Sequence, residues 1–387
     1  MRLAWFSPLP PIPSGIADYT AELLPFLTRL AEVDVYCPRP GLVRSVSAPS
    51  GVEVLPPRRF RRRAEGYDAV FYHLGNNPYH AFVYRAALAS PGVAVLHEFV
   101  LHHLVDFVLF GEGRRKFEAY ARLLADEYGE AGPRLAHLRA LGALTEFERF
   151  MFPLSGHLVR ASRAVVVHGA GAREQVLAET PDAQVAVIPH HAGRPPAEVE
   201  GVSREEARSR LGLPASAFLV GQFGFITRPK QPAAVLDGFA KLLRSRPDSR
   251  SRGLTDRVRL TGYVDPVRFH LHLKAVDAVV NLRYPSAGEA SGTFTRALTG
   301  GRAVVVSNIG SLAEVPSDVC LKVEVDGDQG DEVGGHLTRL AMDPAFKATL
   351  ESGSRAYART ALYPSRCAEA YVDVARSLSE SVPVRVP

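Results

Sequence analysis

The chain has 387 residues, 46% of them apolar and 22% charged, and its 46 Lys and Arg against 41 Asp and Glu leave a net charge of +5. That is the make-up of an ordinary folded chain, and the length exceeds what one core of about 100–200 residues fills, so two domains are expected. No apolar run reaches the ~18–20 residues that cross a bilayer. The N-terminus MRLAWFSPLPPIP meets proline too early for a secretory signal, and Cys37, Cys320 and Cys367 form neither a disulfide framework nor a metal motif. A reduced, cytoplasmic setting is expected.

In chain order, short Val-rich runs bounded by turn residues predict strands at 2–7, 33–37, 69–74, 93–98, 164–169 and 185–190. Between them, SGIADYTAELLPFLTRL, AFVYRAALAS and FEAYARLLADEYGEAGPRLAHLRALG read as helices. The Pro-, Gly- and charge-rich HAGRPPAEVEGVSREEA reads as a linker, after which strands are expected again at 217–225, 257–264, 277–282, 302–308 and 320–325. Near-continuous apolar strands alternating with helices imply parallel sheets covered on both faces. The expected fold is therefore α/β, with two doubly wound Rossmann-like domains at 1–192 and 203–360 and a closing helix and tail at 361–387. Ligands of such sheets sit beyond the carboxyl ends of the strands, so the loops there are expected to face a central cleft.

Several of these loops carry chemistry. Gly15 in PSGIADYT precedes a helix, where a backbone without a side chain and free N–H groups suit an anion, or simply make a turn. Asn76 and Asn77 in HLGNNPYH offer amides to hydroxyls, though Asn-Asn-Pro is also an ordinary turn. HEFVLHH opens like the zinc motif H-E-x-x-H, but Leu101 holds the position of the second histidine. His102 falls about 140° round a helix from His97, which excludes that site. His97 then reads as a hydrogen-bonding or capping histidine at a strand end, and His190-His191 as a structural pair near the hinge.

In the second half, Arg228 and Lys230 open a helix in GFITRPKQ, as a diphosphate would require. LTGYVD could present Gly262 and Tyr263 to a base. The run NLRYPSAGEASGTFTRALTGG sets one acid, Glu289, among small residues between a strand and a helix. The basic PPRRFRRR, from Pro56 to Arg63, is either a solvated loop or a surface attracted to acidic membranes or anions. No nucleic-acid motif accompanies it.

Taken together, IPSGIADYT, the strand-end His97, VGQFGFITRPK, GYV and EASGTFTRALTGGRAVV resemble the retaining GT-B glycosyltransferases of family 4 over almost the whole chain. The resemblance implies a nucleotide-diphosphate sugar donor. Lys230, helped by Arg228, would bind the diphosphate, and Ser291, Gly292 and Thr293 would give N–H groups to phosphate. Glu289 and His97 would meet the donor sugar, Gly15 would let substrates approach, and Gly262, Tyr263 and Val264 would border the base. Asn76, Asn77 and His102 fall on the side expected to take a sugar, lipid-linked or natural-product acceptor. No cofactor and no metal are implied, and no nucleic-acid partner. Arg58 to Arg63 would supply a peripheral contact to the inner membrane face.

The chain departs from the family pattern in three places. Arg296 stands where the second Glu of the donor motif is expected, and Gln222 or Gly224 where an Arg is expected. Near Arg250-Ser251 a strand and its following helix are missing by comparison, through an omitted segment, a natural deletion or a misalignment. A non-catalytic nucleotide-sugar-binding subunit with an eroded donor site is the rival reading, and a phosphorylase or epimerase of the same architecture is the third. The sequence shows no Asp/Glu pair of the kind a two-carboxylate hydrolase uses.

Overall fold

The structure, a computed structural model, describes residues 1–43, 49, 51–111, 116–245 and 254–380. The apparent gap at Arg250-Ser251 lies outside the described residues. In chain order the elements begin β1 (Arg2–Phe6), α1 (Gly15–Leu27), β2 (Glu32–Tyr36), β3 (Glu53–Leu55), β4 (Ala69–Leu74), α2 (Ala81–Ala89) and β5 (Val93–Leu96). A helical excursion follows as α3 (His102–Phe110), α4 (Phe117–Tyr128), α5 (Ala131–Ala140), α6 (Glu146–Met151) and α7 (Gly156–Ala161), then β6 (Ala164–Val167), α8 (Ala170–Glu179) and β7 (Val185–Val187). The second half has α9 (Arg204–Leu211), β8 (Val220–Gly221), α10 (Pro232–Arg244), α11 (Pro266–Ala275), β9 (Ala278–Asn281), α12 (Gly292–Thr299) and β10 (Ala303–Ser307). It ends with α13 (Gly310–Ala313), β11 (Leu321–Val323), α14 (Gln329–Met342), α15 (Pro344–Thr360) and α16 (Pro364–Glu380).

Two compact units result. Unit 1 comprises Met1–Pro189, Ala287–Ala290 and Pro364–Pro387, and unit 2 comprises His190–Ser286 and Ser291–Tyr363. Among the described residues, unit 1 holds a parallel sheet of order β3-β2-β1-β4-β5-β6-β7. Strand order reverses between β1 and β4, and at such a switch point the loops leave a crevice. Alternate residues serve opposite faces. Leu3, Trp5, Phe71 and Val95 pack with α1 and α16, while Ala4, Phe6, Tyr72 and Leu96 pack with the α2–α7 side. The closing helix is thus part of the first core, where the Tyr371 hydroxyl meets that of Tyr19 at 2.9 Å, both rings fully buried.

The long helix expected at 117–142 is two. Gly129 adopts φ +53°, outside helical space, and reverses the chain so that α5 lies along α4. β3 was not anticipated, because Glu53–Leu55 is too short to give a periodic signal.

Unit 2 has the parallel order β11-β10-β9-β8 among the described residues, with Val279, Val304 and Val306 facing one core layer and Ala278, Val280, Val305 and Val323 the other. The strand expected at 217–225 shrinks to Val220–Gly221, and that at 257–264 does not form. The two departures have one cause. A strand needs a partner for its N–H and C=O groups, and among the described residues β8 pairs on one side only, with β9. Leu260 and Tyr263 are 77% and 83% exposed as a result.

An ion cluster ties the helices of unit 2 to this sheet. Asp277, 6% exposed at the start of β9, accepts from Arg208 (2.7 Å), Lys347 (2.9 Å) and the Leu219 N–H (2.8 Å), with Arg204 at 3.4 Å. Burial pushes its pKa up, but the Leu219 bond and the Lys347 and Arg208 charges outweigh burial and hold it below the usual value. Removing one member of such a cluster strands buried charge. Asp277→Ala is expected to destabilise unit 2 by about 3–5 kcal/mol, read from urea unfolding. A change under about 1 kcal/mol, the level of a surface pair, would show the cluster to be ornamental.

Among the described residues no helix is long and apolar enough to cross a membrane.

Candidate functional site

In unit 1 the loops at the carboxyl ends of β4, β5 and β6 are bound together by histidines. His73 Nδ1 lies 2.9 Å from His97 Nε2, and His97 Nδ1 lies 3.0 Å from His168 Nε2. His168 Nδ1 meets the Ile188 carbonyl at 2.8 Å. A carbonyl only accepts, so His168 Nδ1 carries a proton. Burial lowers the His168 pKa to about 4, leaving Nε2 as an acceptor at neutral pH. The His97 Nδ1–H therefore donates to His168 Nε2, and the His168 Nδ1–H to the Ile188 carbonyl.

His97, expected at the donor sugar, is thus tied into a row within unit 1. The ring is 5% exposed, packs edge-on to Tyr19 at 4.8 Å, and has both nitrogens engaged. A bond to a sugar hydroxyl would cost one of these two. His73 and His168 were missed because a sequence does not show which strands are neighbours.

His102, expected at the acceptor, is fully buried. Its Nδ1 donates to the Phe152 carbonyl (2.7 Å), and its Nε2 accepts from the Tyr120 hydroxyl (2.6 Å). Burial lowers its pKa to about 4. It is a structural link between α3, α4 and the segment after α6, and this corrects its assignment. Asn76 is also committed. Its Oδ1 accepts from Leu104 N at the start of α3 (3.0 Å), and its Nδ2 donates to His103 Nδ1 (2.9 Å), so that His103 Nε2 meets Glu146 at 2.8 Å. Asn77 Oδ1 caps the following turn at Tyr79 N (3.1 Å).

Gly15 opens α1 after the Ser14 cap, and a Cβ there would meet nothing within 4 Å. Ser14 Oγ lies 3.5 Å from His80 Nε2, and His80 Nδ1 donates to the His73 carbonyl (2.8 Å), which ties this turn to the histidine row.

The Glu289 loop is held by unit 1. The Ala287 carbonyl accepts from Phe99 N (2.7 Å) and Val100 N (3.1 Å), directly after His97. Glu289 Oε2 accepts from Ala287 N at 2.7 Å, which closes the loop on itself.

In unit 2, Ser291 caps α12. Its hydroxyl accepts from Phe294 N (3.3 Å) and donates to Asn281 Oδ1 (3.2 Å), while the N–H groups of Gly292 and Thr293 have no partner among the described residues. Asn281 is 4% exposed, and its buried Nδ2 likewise has none. Arg296 folds back along the helix, its Nη1 3.3 Å from the Gly292 carbonyl. Its charge, after burial, helps lower the His270 pKa to about 4. A Cβ on Gly292 would lie 2.8 Å from Arg296 Nη1 and 3.7 Å from His190. Arg296 thus lies at the helix start, where partial positive charge already gathers, and His190 joins this turn.

The neighbouring loop carries Lys230, whose Nζ donates to the Phe223 carbonyl (3.0 Å). Gly224 at φ +87° passes so close that a Cβ would collide with that ammonium. Gln222 donates to the Lys230 carbonyl (2.7 Å), which fixes the turn where an Arg was expected. Tyr284 N donates to the Pro229 carbonyl (2.7 Å) and Gln231 Nε2 to the Tyr284 carbonyl (2.8 Å), binding the Lys230 loop to the segment after β9. Arg228 is exposed. Gly262, Tyr263 and Val264 lie on the segment without strand pairing, and the described geometry brings them to none of these groups. Among the described residues no group of three or more His, Cys, Asp or Glu could hold a metal.

No family model matches the chain. It is 28% identical over 229 residues to a D-inositol 3-phosphate glycosyltransferase from Nocardiopsis dassonvillei, 51% of each chain, so it spans about half the length of the curated relative it matches. Solved structures align over nearly all of it. A sucrose-phosphate synthase from Thermosynechococcus elongatus superposes with TM-score 0.64 at 16% identity, covering 99% of this chain and 100% of that one. Anabaena HepE, in complex with UDP and glucose, gives 0.63 at 15%, covering 97% and 100%. The lipopolysaccharide glycosyltransferase WaaG gives 0.58 at 15%, covering 95% and 98%. The fold is the GT-B type expected.

The buried histidines give a pH test. His80, His102 and His168 fall from an ordinary 6.5 to about 4 through burial. The unfolded chain takes up these protons first, so their stabilising effect is complete above 6.5 and is lost as pH falls towards 4. Near pH 5 the logarithm of the unfolding constant should rise by about three per pH unit fall from these rings, measured by urea titration across pH. His102→Gln should lower that slope by about one. A flat profile from pH 6.5 to 4.5 would mean that the rings are not held neutral.

Proposed function

We propose that the protein is a glycosyltransferase that moves a sugar from a nucleoside-diphosphate sugar to an acceptor hydroxyl with retention of configuration. The observation that carries this is the start of α12, where the Gly292 and Thr293 N–H groups and the buried Asn281 Nδ2 have no partner among the described residues, and where the Arg296 guanidinium, bonded to the Gly292 carbonyl, adds charge. Donors without acceptors at a helix start select an anion, and a diphosphate is the anion such a site holds. The GT-B fold, the glycosyltransferase relative and a structural neighbour seen with UDP support the same reading.

On this reading the chain neutralises the leaving group. Gly292 and Thr293 donate N–H bonds to phosphate oxygens, and Lys230 and Arg228 add charge from the adjoining loop. Arg296 takes a second cationic position rather than holding ribose as a carboxylate would. We assign the diphosphate charge to these groups and to no metal ion. The bond from the anomeric carbon to the diphosphate oxygen breaks, and the acceptor oxygen bonds that carbon from the same face. The acceptor proton passes to the departing phosphate oxygen, so that positioning and charge stabilisation supply the rate. Glu289, two residues before the helix cap in sequence, accepts from donor-sugar hydroxyls.

Calorimetric titration with UDP-, GDP- and ADP-sugars tests the reading. One donor class should bind, and heat from none would end it. Lys230→Ala should lower turnover by about tenfold or more, and a smaller loss would remove Lys230 from the diphosphate. Gly292→Val should abolish donor binding while the fold persists. Tight donor binding without turnover on any acceptor would instead favour a non-catalytic sugar-nucleotide-binding subunit, the reading that the Arg296 replacement prompts.

A further inference from the structure

The basic run that the donor chemistry leaves unused has a definite shape. Residues Pro57–Arg62 form a tight 3₁₀ turn, pinned by Phe60, which is 8% exposed. Its ring meets Phe6 at 5.0 Å and Tyr36 at 5.3 Å edge-on, and stacks with Tyr67 at 6.1 Å. The arginines on either side are therefore fixed to the core of unit 1. Arg61, Arg62 and Arg63 join Arg2, Glu65 and Gly66 around a cavity of about 400 Å³.

The nearby carboxylates are already used. Asp34 accepts from Arg2 Nη2 (2.7 Å) and the Tyr67 hydroxyl (2.5 Å), and Glu53 binds Arg63 at 2.6 Å. Arg58, Arg59, Arg61 and Arg62 are exposed, and their side chains have no partner among the described residues. Only Glu65 on the cavity wall opposes them. The position is also informative. Arg2 opens β1, Glu53 opens β3 and Gly66 precedes β4, so the cavity lies at the amino ends of the strands. The loops bearing Gly15, Asn76 and the histidine row leave the carboxyl ends of the same sheet.

We propose that this cavity, in unit 1, is an anion site separate from the turn at the start of α12 in unit 2, and that it takes a phosphate group between Arg61, Arg62 and Arg2. Guanidinium forks match phosphate oxygens in pairs, and the turn pinned by Phe60 sets the Arg61 and Arg62 backbone beside Arg2. The bound group is a phosphate carried either by a lipid headgroup at a membrane surface or by a small soluble compound. The proposal is independent of the donor reading.

The test uses the full chain, sedimented with phosphatidylcholine vesicles with or without phosphatidylglycerol, and titrated calorimetrically with pyrophosphate. Retention on phosphatidylglycerol vesicles alone, lost at high salt, with displacement by pyrophosphate, would place a lipid phosphate in the cavity. Pyrophosphate binding without vesicle retention would support a soluble phosphate ligand. In either case Arg61→Glu with Arg62→Glu should weaken binding by about tenfold or more. Arg58→Glu with Arg59→Glu, off the cavity wall, should weaken vesicle binding and leave a cavity-held pyrophosphate nearly unchanged. Because Arg61 and Arg62 have no partner among the described residues, the first double variant should melt as the parent does. Absence of both kinds of binding, or binding to which Arg61 and Arg62 are indifferent, would overturn the proposal. So would pyrophosphate heat sensitive to Lys230→Ala but not to the Arg61/Arg62 pair, which would assign that heat to the donor site.

Discussion

The parallel ladder through β4, β5 and β6 is the constraint on which the first unit's chemistry rests. Val95 pairs with Val166, so that His97 and His168 come level just beyond the strands, and Leu74 pairs with Leu96, which sets His73 diagonally on the same side. Side chains two apart share a face of a sheet. Three rings are thereby brought to hydrogen-bonding distance by backbone pairing alone. One carbonyl, that of Ile188, then orients the row. The segment leaving His97 in turn receives the Ala287 carbonyl, so the backbone that carries Glu289 is anchored on a base that these rings make rigid.

The second unit solves a similar problem with charge. Asp277 sits where β9 begins, and cations on α9 and α15 close on it. At the other end of β9 the strand delivers Asn281, whose amide helps hold the cap of α12. One short strand therefore links a structural ion cluster to the cap of α12, and the three buried residues between Asp277 and Asn281 leave little slack.

Much of this was legible in the sequence, for identifiable reasons. Strands such as AVFYHL and AVVV are buried on both faces, so their apolar character is unbroken and their neighbours are turns. The start of α12 was legible because Ser-Gly-Thr before FTRAL is a cap with no alternative use. What failed was whatever depended on spatial neighbours. His97 was read as a sugar contact through the family resemblance and His102 as an acceptor contact through its place on a loop of the first domain, and only strand order and helix packing reveal the partners that their nitrogens already hold. His190 beside Gly292 was hidden by the same ignorance. The segment 257–264 alternates like a strand, yet alternation gives no ladder when the neighbouring edge is two residues long. Arg296 was visible as a departure, but its direction was not, since a helical arginine can run either way along its helix.

The placing of α16 bears on how the chain is assembled. Tyr371, Val372 and Ala375 complete a core layer whose other members come from β1, α1 and β4, yet all of unit 2 intervenes in sequence. During synthesis the second unit is finished while one face of the first still lacks its cover. Contacts of such long sequence separation carry a high loop-closure cost and form late. The first unit therefore waits with Trp5, Phe71 and their neighbours open on that face. Damage to α16 should be felt by the sheet that was made first, not by the unit translated just before it.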